Sequence, residues 1–537
     1  MRHKLVYASR LLTLALAGTL TACGGGSGGD DDDAAESPPP AARTCDMTAF
    51  ADVQLPGATI QSVSAVPAGD YTPEGQRQAL TDLPAFCRIN AQAMPSSSSL
   101  INFEVWVPEG NAWNGKLVTT GNGGYSPSLS YSDMAYALRQ GYATMGGDTG
   151  HQTEDMQWGV NNAEKIIDWG TRSINAITVA GKQLINELRA EPARRSYYLG
   201  CSTGGHQGFA EAQRYPEDFD GIIAGAPGNN RTALNAEFMW RFRSNRPTND
   251  NVTQYLTRSK LQLVTSKAVE ACDALDGVTD GVINDPRQCT TQHFDVASLQ
   301  CTAGDGPDCL TTEQVDAAQK IYQGPRNPRT GAQIYPGWPV GSESGWSGYM
   351  GTDEPVRADF WRLWVFNDEN WDWWSFDFDK DLEYAYTQIA PLVDQTSTDL
   401  SAFKANGGKM IVYHGWNDPV VSTYDSISYF DKVRDAQGSR AAMDEFYRMF
   451  LIPGMGHCGG GPGVTNLRSA LTSPAPDTDI LAALDRWVEA GTAPDDLVAT
   501  GNGEGEAVPT RPLCAYPTQA VYSGSGSPDD AASYTCS

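Results

Sequence analysis

Short apolar runs that end in glycine-rich turns recur along the chain, and helical patterns follow some of them. Residues 116–120, 196–199 and 409–418 have the length and composition of buried strands. The run at 196–199 leads through Gly200 into a helical pattern that continues to Ala212. Apolar runs of this length, bounded by turn residues, are typical of strands that are buried on both faces. These patterns predict parallel strands joined through helices.

The N-terminal segment is typical of an export signal. Arg2, Lys4 and Arg10 precede an apolar run, residues 11–20, which is too short to span a bilayer as a stable helix. The run ends in Leu-Thr-Ala-Cys23, which resembles a bacterial lipoprotein signal with an acylated cysteine. We therefore predict a signal peptide at residues 1–22 and lipidation of Cys23. The alternative is a short buried helix.

The segment that follows, residues 23–43, is rich in Gly, Asp and Pro and is predicted to be a flexible tether. By the same resemblance to lipoprotein signals, Gly24 after the cysteine, in place of Asp, favours the outer membrane over retention at the inner membrane. We expect an exported protein, anchored by lipid at the outer membrane or in the periplasm, whose only membrane contact is this anchor.

Composition excludes several classes of protein. The chain has 537 residues and a formal net charge of −27, which argues against a nucleic-acid partner because such a protein needs a basic face. Apolar residues make up 40% of the chain and include 14 Trp, enough for a sizeable core. This length fits one large catalytic domain with an insertion, or two to three domains.

Cysteine usage agrees with export. If Cys23 carries lipid, the other ten of the 11 cysteines form an even set in an oxidising compartment. Local spacing suggests four pairs: Cys45 with Cys87, Cys272 with Cys289, Cys301 with Cys309, and Cys514 with Cys536. Cys201 and Cys458, which are far apart in sequence, are left over.

The strongest chemical signal is the segment Gly200-Cys-Ser202-Thr-Gly204, which matches G-x-S-x-G. It lies between a predicted strand and a predicted helix, where a strained turn exposes the serine and the helix N-terminus favours negative charge. This context predicts that Ser202 is a nucleophile in an α/β-hydrolase fold. The alternative is an ordinary glycine-rich turn.

A serine nucleophile needs a histidine base and an acid, which follow the serine in that fold in the order acid, then histidine. Asp418 ends the predicted strand at 409–418, where the fold places its acid. Among the six histidines, His414 precedes Asp418 and only His457 follows it. We therefore predict Ser202, Asp418 and His457 as the catalytic triad.

The oxyanion hole of such an enzyme uses two backbone N–H groups. One is predicted at Thr203, directly after the nucleophile, and the second in the loop Gly121-Asn-Gly-Gly124. Within that loop Gly124 is our choice, and Gly123 is equally plausible. The alternative for the loop is a plain hairpin turn.

Taken together, these motifs resemble the tannase and feruloyl esterase family, which includes an enzyme that hydrolyses mono(2-hydroxyethyl) terephthalate. The most specific feature is Cys-Ser at 201–202 combined with His-Cys at 457–458, and the resemblance covers nearly the whole mature chain. Residues 148–151, 225–227 and 414–418 also match family landmarks. The resemblance implies an α/β-hydrolase fold, esterase activity and a disulfide between Cys201 and Cys458.

The resemblance also covers residues 272–282, where it implies a structural Ca²⁺ site. By family similarity the side chains of Asp273, Asp276 and Asp280 and the carbonyls of Val278 and Val282 are the ligands. Oxygen donors suit Ca²⁺, although the spacing does not match an EF-hand. From composition alone, the alternative is an acidic surface loop.

The 216 positions between Ser202 and Asp418 exceed what this fold needs and predict an insertion. We assign residues 44–228 and 396–537 to the catalytic domain, and residues 229–395 to a lid that carries the calcium loop. The lid contains five tryptophans that either stack an aromatic acyl group or fill the lid's own core: Trp361, Trp364, Trp371, Trp373 and Trp374.

The sequence thus predicts a secreted, monomeric serine esterase that hydrolyses small aromatic carboxylic esters of the feruloyl, galloyl or terephthaloyl type through an acyl-enzyme. No organic cofactor is implied. Specificity for mono(2-hydroxyethyl) terephthalate is one alternative, which residues 419–422 weaken because Pro-Val-Val-Ser stands where the terephthalate enzyme has an aromatic residue. A serine peptidase of the same fold and a non-catalytic, aromatic-binding lipoprotein are the others.

Overall fold

A computed structural model describes residues 41–249, 253–469, 472–501 and 508–537. The predicted signal peptide at residues 1–22, the lipidation site Cys23 and the tether up to residue 40 lie outside the described residues. Within the described ranges, no helix combines the length and apolar character that a membrane crossing requires.

The described residues contain fifteen strands. In chain order these are β1 (Ala58–Val66), β2 (Gly69–Tyr71), β3 (Leu80–Leu83), β4 (Phe86–Ala93), β5 (Ile101–Pro108), β6 (Lys116–Thr120), β7 (Ala143–Gly147), β8 (Arg195–Cys201), β9 (Gly221–Gly225), β10 (Lys409–Gly415), β11 (Tyr447–Ile452), β12 (Asp496–Thr500), β13 (Thr510–Cys514), β14 (Ala520–Tyr522) and β15 (Tyr534–Cys536).

The α-helices of the described residues are α1 (Tyr131–Arg139), α2 (Ala163–Ile167), α3 (Ser173–Arg189), α4 (Thr203–Arg214), α5 (Arg231–Ser244), α6 (Arg258–Cys272), α7 (Thr312–Gln323), α8 (Glu343–Trp346), α9 (Lys380–Gln388), α10 (Ala390–Val393), α11 (Ser401–Ala405), α12 (Thr423–Gln437), α13 (Arg440–Asp444) and α14 (Ile480–Ala490). Two π-helical turns span Asp168–Arg172 and Phe360–Val365. Short 3₁₀ turns include Met47–Phe50, Gly110–Ala112, Met156–Gly159, Asp273–Asp276, Val296–Leu299, Ser347–Tyr349, Trp373–Ser375 and Ala531–Ser533.

Nine strands form the main sheet in the order β1-β4-β5-β7-β6-β8-β9-β10-β11. The pairs β1–β4, β4–β5 and β5–β7 are antiparallel. The strands from β7 onward in this order, which are β7, β6, β8, β9, β10 and β11, are parallel to one another. The carboxyl ends of the parallel strands meet at one edge of the sheet, where this kind of architecture places its ligand site.

Helices cover both faces of the sheet, so its central strands are buried along most of their length. Met410 and Val412 of β10 belong to a core that includes residues of α3, α4 and α12. Ile411 and Tyr413, which alternate with them, belong to a second core with residues of α1 and α14. Successive side chains of a strand point to opposite faces, so the two cores lie on opposite sides of the sheet.

Two predicted strands differ in length from the observed ones. The strand predicted at 196–199 is β8, which is longer at both ends, and the strand predicted at 409–418 is β10, which ends at Gly415. The chain turns after Gly415, and the N–H of Asp418 donates to the Gly415 carbonyl at 3.3 Å. Asp418 therefore lies on a loop at the strand's carboxyl end and not on the strand.

The segment 229–395 lies between β9 and β10 in the chain. One of its apolar clusters consists of residues 256–350 alone, and includes Leu261, Val315 and Trp346. Another cluster combines residues 236–393 of the segment with Tyr125 and Trp169. The segment therefore has a core of its own and a second apolar contact with the residues that follow the predicted oxyanion loop.

Five disulfide bonds are present: Cys45–Cys87, Cys201–Cys458, Cys272–Cys289, Cys301–Cys309 and Cys514–Cys536. These are the four pairs predicted from spacing and the pair implied by family resemblance, and the prediction is confirmed. Disulfides in this number are typical of proteins that fold in an oxidising compartment outside the cytoplasm.

Candidate active site

The turn at Ser202 has the strained geometry that the G-x-S-x-G motif predicts. Strand β8 ends at Cys201 and helix α4 begins at Thr203, so Ser202 alone connects them, with φ 63° and ψ −118°. Its N–H donates to the Gly225 carbonyl at 2.9 Å, which holds the strained residue against β9. At Gly200 a Cβ atom would lie 2.7 Å from the backbone of Gly204, so the turn leaves no room for a side chain there.

Ser202, His457 and Asp418 form one chain of hydrogen bonds. His457 Nε2 lies 2.8 Å from Ser202 Oγ, and His457 Nδ1 lies 2.7 Å from Asp418 Oδ2. Because a carboxylate can only accept, Nδ1 carries the proton and Nε2 is free to accept from the serine hydroxyl. This is the arrangement in which an imidazole acts as a general base toward a serine.

The Asp418 carboxylate is fully buried and is held on both oxygens. Oδ1 accepts from the backbone N–H groups of Val420 and Val421 at 2.7 and 3.0 Å. Burial alone would raise the pKa of Asp418, but the electrostatic interaction with His457 and hydrogen bonds from His414 and His457 hold it well below its usual range. The carboxylate therefore stays ionised beside the imidazole, which it orients.

His414, which sequence order excluded as the base, contacts the predicted acid. Its Nε2 lies 3.2 Å from Asp418 Oδ2 and 3.0 Å from the Val421 carbonyl, and its Nδ1 lies 2.8 Å from Ser426 Oγ. Both neighbours of Nε2 are acceptors, so Nε2 is protonated and donates to them. Sequence reasoning missed this positioning contact, although His414 lies on the strand that leads to Asp418.

The glycine loop that follows β6 packs closely against the nucleophile helix. At Gly121 a Cβ atom would lie 2.7 Å from Gly204 Cα, so only glycine fits. The N–H of Asn122 donates to Gln207 Oε1 at 3.0 Å and is therefore occupied. Gly123 and Gly124 both line the cavity beside Ser202, so their N–H groups are the two candidates for the oxyanion donor predicted in this loop.

Two buried rings fix the far end of this loop. Trp169 Nε1 donates to the Gly124 carbonyl at 3.2 Å, and His151 Nε2 lies 2.7 Å from the Tyr125 carbonyl. Burial lowers the pKa of His151, so this ring is neutral and donates from Nε2. His151, which was predicted only as a family landmark, thus holds the loop.

A cavity of about 370 Å³ opens beside Ser202 and His457. Tyr349, Arg357 and Val420 also line it, and the Arg357 guanidinium lies close to Gly124. None of the five tryptophans at 361–374 is among the described residues that line it. Trp361 and Trp364 are buried in the cluster that contains Tyr125, which favours the interpretation that they fill a core.

Arg357 is the cationic side chain of this cavity. Its guanidinium lies 5.2 Å from the centre of the Tyr125 ring and 5.3 Å from that of Phe238. Among the described residues, no carboxylate lies within ion-pair distance of it. Its backbone adopts φ 61°, a strained value for a residue with a side chain, and such strain is often found at functional sites.

The predicted calcium loop begins with Asp273, a buried residue at the end of α6. Its carboxylate accepts hydrogen bonds of 3.0–3.3 Å from the backbone N–H groups of Asp280, Gly281 and Val282. These bonds fold the loop back on itself between Asp273 and Val282.

The other two predicted side-chain ligands lie beside a cavity of about 160 Å³. Asp280 Oδ2 lies 2.6 Å from Arg511, and burial together with the charges of Asp280 and Asp273 raises the pKa of Asp276. Within the described ranges, no group of three or more His, Cys, Asp or Glu side chains is arranged to hold a metal ion. The donors are all oxygens, which fits Ca²⁺ by type.

Comparisons with known proteins agree with the geometry. The family model "Tannase and feruloyl esterase" matches residues 87–537. Feruloyl esterase C of Talaromyces stipitatus is 36% identical over 509 residues, which cover 92% of this chain and 94% of that protein. An uncharacterized esterase of Xanthomonas campestris is 35% identical over 525 residues, and each chain is covered to 90%.

Solved structures agree as well. Feruloyl esterase B from Aspergillus oryzae superposes with a TM-score of 0.84 at 32% identity, covering 91% of this chain and 98% of that one. Tannin acyl hydrolase from Aspergillus niger has a TM-score of 0.72 at 22% identity, with coverage of 90% and 92%, and shares the fold. The predicted α/β-hydrolase fold is confirmed. The chain belongs to the tannase and feruloyl esterase family of carboxylic ester hydrolases.

Proposed function

We propose that this protein is a serine esterase that hydrolyses aromatic carboxylic esters through an acyl-enzyme. The observation that carries the proposal is the hydrogen-bonded chain Ser202–His457–Asp418, which opens into a cavity of about 370 Å³. The relatives named feruloyl esterase support the aromatic acyl group.

Acylation begins with Ser202 Oγ, which attacks the ester carbonyl carbon while His457 Nε2 takes the hydroxyl proton. The carbonyl oxygen becomes an oxyanion, which the N–H groups of Thr203 and of Gly124 or Gly123 stabilise. Asp418 stays ionised and stabilises the imidazolium.

The tetrahedral intermediate then collapses. The bond from carbon to the alcohol oxygen breaks, and the imidazolium of His457 gives its proton to that oxygen. Water enters, gives a proton to the neutral imidazole and attacks the acyl-enzyme, and Ser202 leaves with the proton from the histidine. The products are one carboxylic acid and one alcohol.

The segment 229–395 is proposed to act as the lid of this site. Tyr349 and Arg357 belong to the segment and line the cavity beside Ser202, which supports a role over the acyl group. The segment's second apolar cluster includes Tyr125, so the segment also contacts the oxyanion loop.

The test is a hydrolysis panel of methyl gallate, methyl ferulate, chlorogenate and mono(2-hydroxyethyl) terephthalate, with chromogenic peptides as controls. We expect turnover of at least one ester and no peptide cleavage, and Ser202→Ala should lower kcat by at least about a thousandfold. Cleavage of peptides alone would indicate a peptidase. Failure of a fluorophosphonate probe to label Ser202 would favour a binding protein.

A second candidate function is hydrolysis of monoesters that carry a free carboxylate, such as mono(2-hydroxyethyl) terephthalate. Arg357 favours it, because an Arg in the cavity with no carboxylate partner among the described residues can bind a substrate carboxylate in bidentate fashion. Arg357→Gln should then raise KM about tenfold or more for the acidic monoester and far less for methyl ferulate. Equal changes for both esters would contradict this candidate.

We further propose a structural Ca²⁺ held by the side chains of Asp273, Asp276 and Asp280 and the carbonyls of Val278 and Val282. The charges of Asp280 and Asp273 contribute to the raised pKa of Asp276, and a bound cation would relieve that repulsion. Export and lipidation at Cys23 are proposed from the N-terminal sequence, and the five disulfides support export.

A further inference from the structure

A second cavity of ligand size lies between the segment 229–395 and helix α12. Its volume is about 470 Å³, and it shares no lining residue with the cavity beside Ser202. Volumes of about 300–1,000 Å³ are usual for small-ligand sites. The mechanism of ester hydrolysis proposed above uses none of the residues that line this cavity, so its chemistry needs a separate explanation.

Aromatic side chains form the apolar part of the wall, and they are Phe294, Tyr322, Trp338 and Tyr424. The polar atoms of two of these rings are already occupied. Tyr322 Oη donates to Glu343, and Trp338 Nε1 donates to Glu237 at 2.8 Å. Tyr322 and Trp338 therefore offer only ring carbons to an occupant of the cavity.

The neutral polar side chains of the wall have no protein partner. Gln319 and Gln323 lie one helical turn apart on α7, and Thr291 follows the Cys272–Cys289 bond in the chain. Tyr424 belongs to the first turn of α12, and burial raises its pKa to about 12, so its hydroxyl stays protonated. Among the described residues, none accepts from or donates to these four side chains. Unpaired donors and acceptors thus line the cavity from three separate segments of the chain.

The charged side chains of the wall are engaged with protein groups. Arg287 donates from Nε and Nη2 to the Asp285 carboxylate at 2.9 and 2.8 Å. Asp295 Oδ1 accepts from the N–H of Ala297 at 2.9 Å. Within the described ranges, the wall therefore offers no unpaired cation to hold an anionic ligand. Its free groups are hydroxyls and amides, which both donate and accept and so suit ligand hydroxyl groups.

We propose that this cavity is a binding site for a neutral sugar of one or two rings. Because the free polar groups come from three segments, the ligand must carry hydroxyl groups around its ring, as a sugar does and a simple phenol does not. The faces of aromatic rings carry partial negative charge, which suits the C–H groups of a sugar ring. Thr291 and Gln323 are exposed, so the ligand can enter from solvent.

Isothermal titration calorimetry of the full chain with xylobiose, cellobiose and maltose tests the proposal. We expect at least one of these sugars to bind with a Kd of about 1 mM or below. Ser202→Ala should bind it equally well, because the two cavities share no lining residue. The measurement does not depend on hydrolysis, so a failure of the proposed esterase function would leave sugar binding intact.

Two variants locate the bound sugar. Gln319→Trp places a large ring in the cavity and should raise the Kd by at least about tenfold. Glu313→Trp is the matched control, since it adds the same ring at an exposed position of α7 outside the cavity, and should leave the Kd unchanged. Tyr424→Phe removes one hydroxyl and keeps the ring, so the Kd should rise about fivefold.

Circular dichroism verifies that each variant is folded, and Tyr424→Phe keeps the test valid if Gln319→Trp does not fold. Absence of binding of all three sugars to the wild-type protein would overturn the proposal. A Kd that stays at the wild-type value in folded Gln319→Trp and in Tyr424→Phe would overturn it as well, because the sugar would then lie elsewhere. Tighter binding of 4-hydroxybenzyl alcohol than of every sugar, lost in the same variants, would assign the cavity to a phenol instead.

Discussion

Removal of the Cys201–Cys458 bond should reduce stability and turnover by separate mechanisms. The perturbation is the double variant Cys201→Ala, Cys458→Ala. The bond joins residues 257 positions apart, and the chain-entropy model assigns about 5.5 kcal/mol of unfolding free energy to such a closure. This value is of the same size as the whole stability of many domains.

The same protein contains a matched control. Cys301–Cys309 closes a separation of only 8 residues, for which the model gives about 2.5 kcal/mol. The double variant Cys301→Ala, Cys309→Ala should therefore lose about 3 kcal/mol less than the first variant. Urea unfolding in non-reducing buffer measures both losses, and mass spectrometry of the unreduced digest verifies which bonds remain.

The effect on turnover follows from where the bond lies. Cys201 precedes the strained Ser202, and Cys458 follows His457 and itself has φ 66°. Without the bond, nothing covalent holds His457 Nε2 within 2.8 Å of Ser202 Oγ. A misplacement of 1 Å can cost about a hundredfold in rate, so we expect kcat on methyl ferulate to fall by about that factor while KM changes little.

Two results would refute this reasoning. Equal losses of stability in the two double variants would show that loop length does not set the contribution of the bond. A kcat within threefold of wild type in the Cys201→Ala, Cys458→Ala variant would show that the bond does not position the imidazole. The Cys301→Ala, Cys309→Ala variant should keep the wild-type kcat.

Three further predictions concern pH, metal and export. Burial raises the pKa of Asp425 to about 6, above its value in the unfolded chain. The folded protein therefore keeps this carboxyl protonated at low pH, and as pH rises through 6 it must bury the charged form, which lowers its stability. Asp425→Asn should therefore raise the unfolding free energy by up to about 3 kcal/mol at pH 8 but little at pH 4, and equal gains would contradict this. Exhaustive chelation should lower the melting temperature of the wild-type protein but not that of Asp276→Asn, because an ion that binds only the folded state stabilises it. An unchanged melting curve of the wild-type protein, together with no metal by elemental analysis, would exclude the site. Cys23→Ala should move the protein from the membrane fraction to the soluble fraction, and a variant that stays with membranes is anchored elsewhere.

Much of the site could be predicted because its signals are local or ordered along the chain. The turn around Ser202 needs glycine at fixed offsets, and that requirement is visible in five residues. Asp418 and His457 follow from the order of elements in the fold, and four disulfides follow from short spacing. The length of β10 was overestimated, because the turn after Gly415 depends on contacts with β11 that composition does not encode.

Other parts of the site have no local signal. Arg357 reaches the cavity from the middle of the segment 229–395, and Asp133 meets Arg468 across 335 positions of sequence. Nothing in the residues around each of them indicates the partner. His414 is a different case, since it lies four positions before Asp418, but the rule of sequence order that identified the base also removed this histidine from consideration.

The position of the disulfide gives one bond two consequences. Cys201 and Cys458 lie next to Ser202 and His457, so the bond ties together the two residues whose Oγ and Nε2 atoms lie 2.8 Å apart. The same bond closes a separation of 257 positions, the longest of the five disulfides, so its removal should also cost the most stability in the chain-entropy model. One double variant therefore changes both kcat and the free energy of unfolding. The Cys301→Ala, Cys309→Ala variant separates the two effects, because that bond lies away from Ser202 and His457 in sequence and closes only 8 positions.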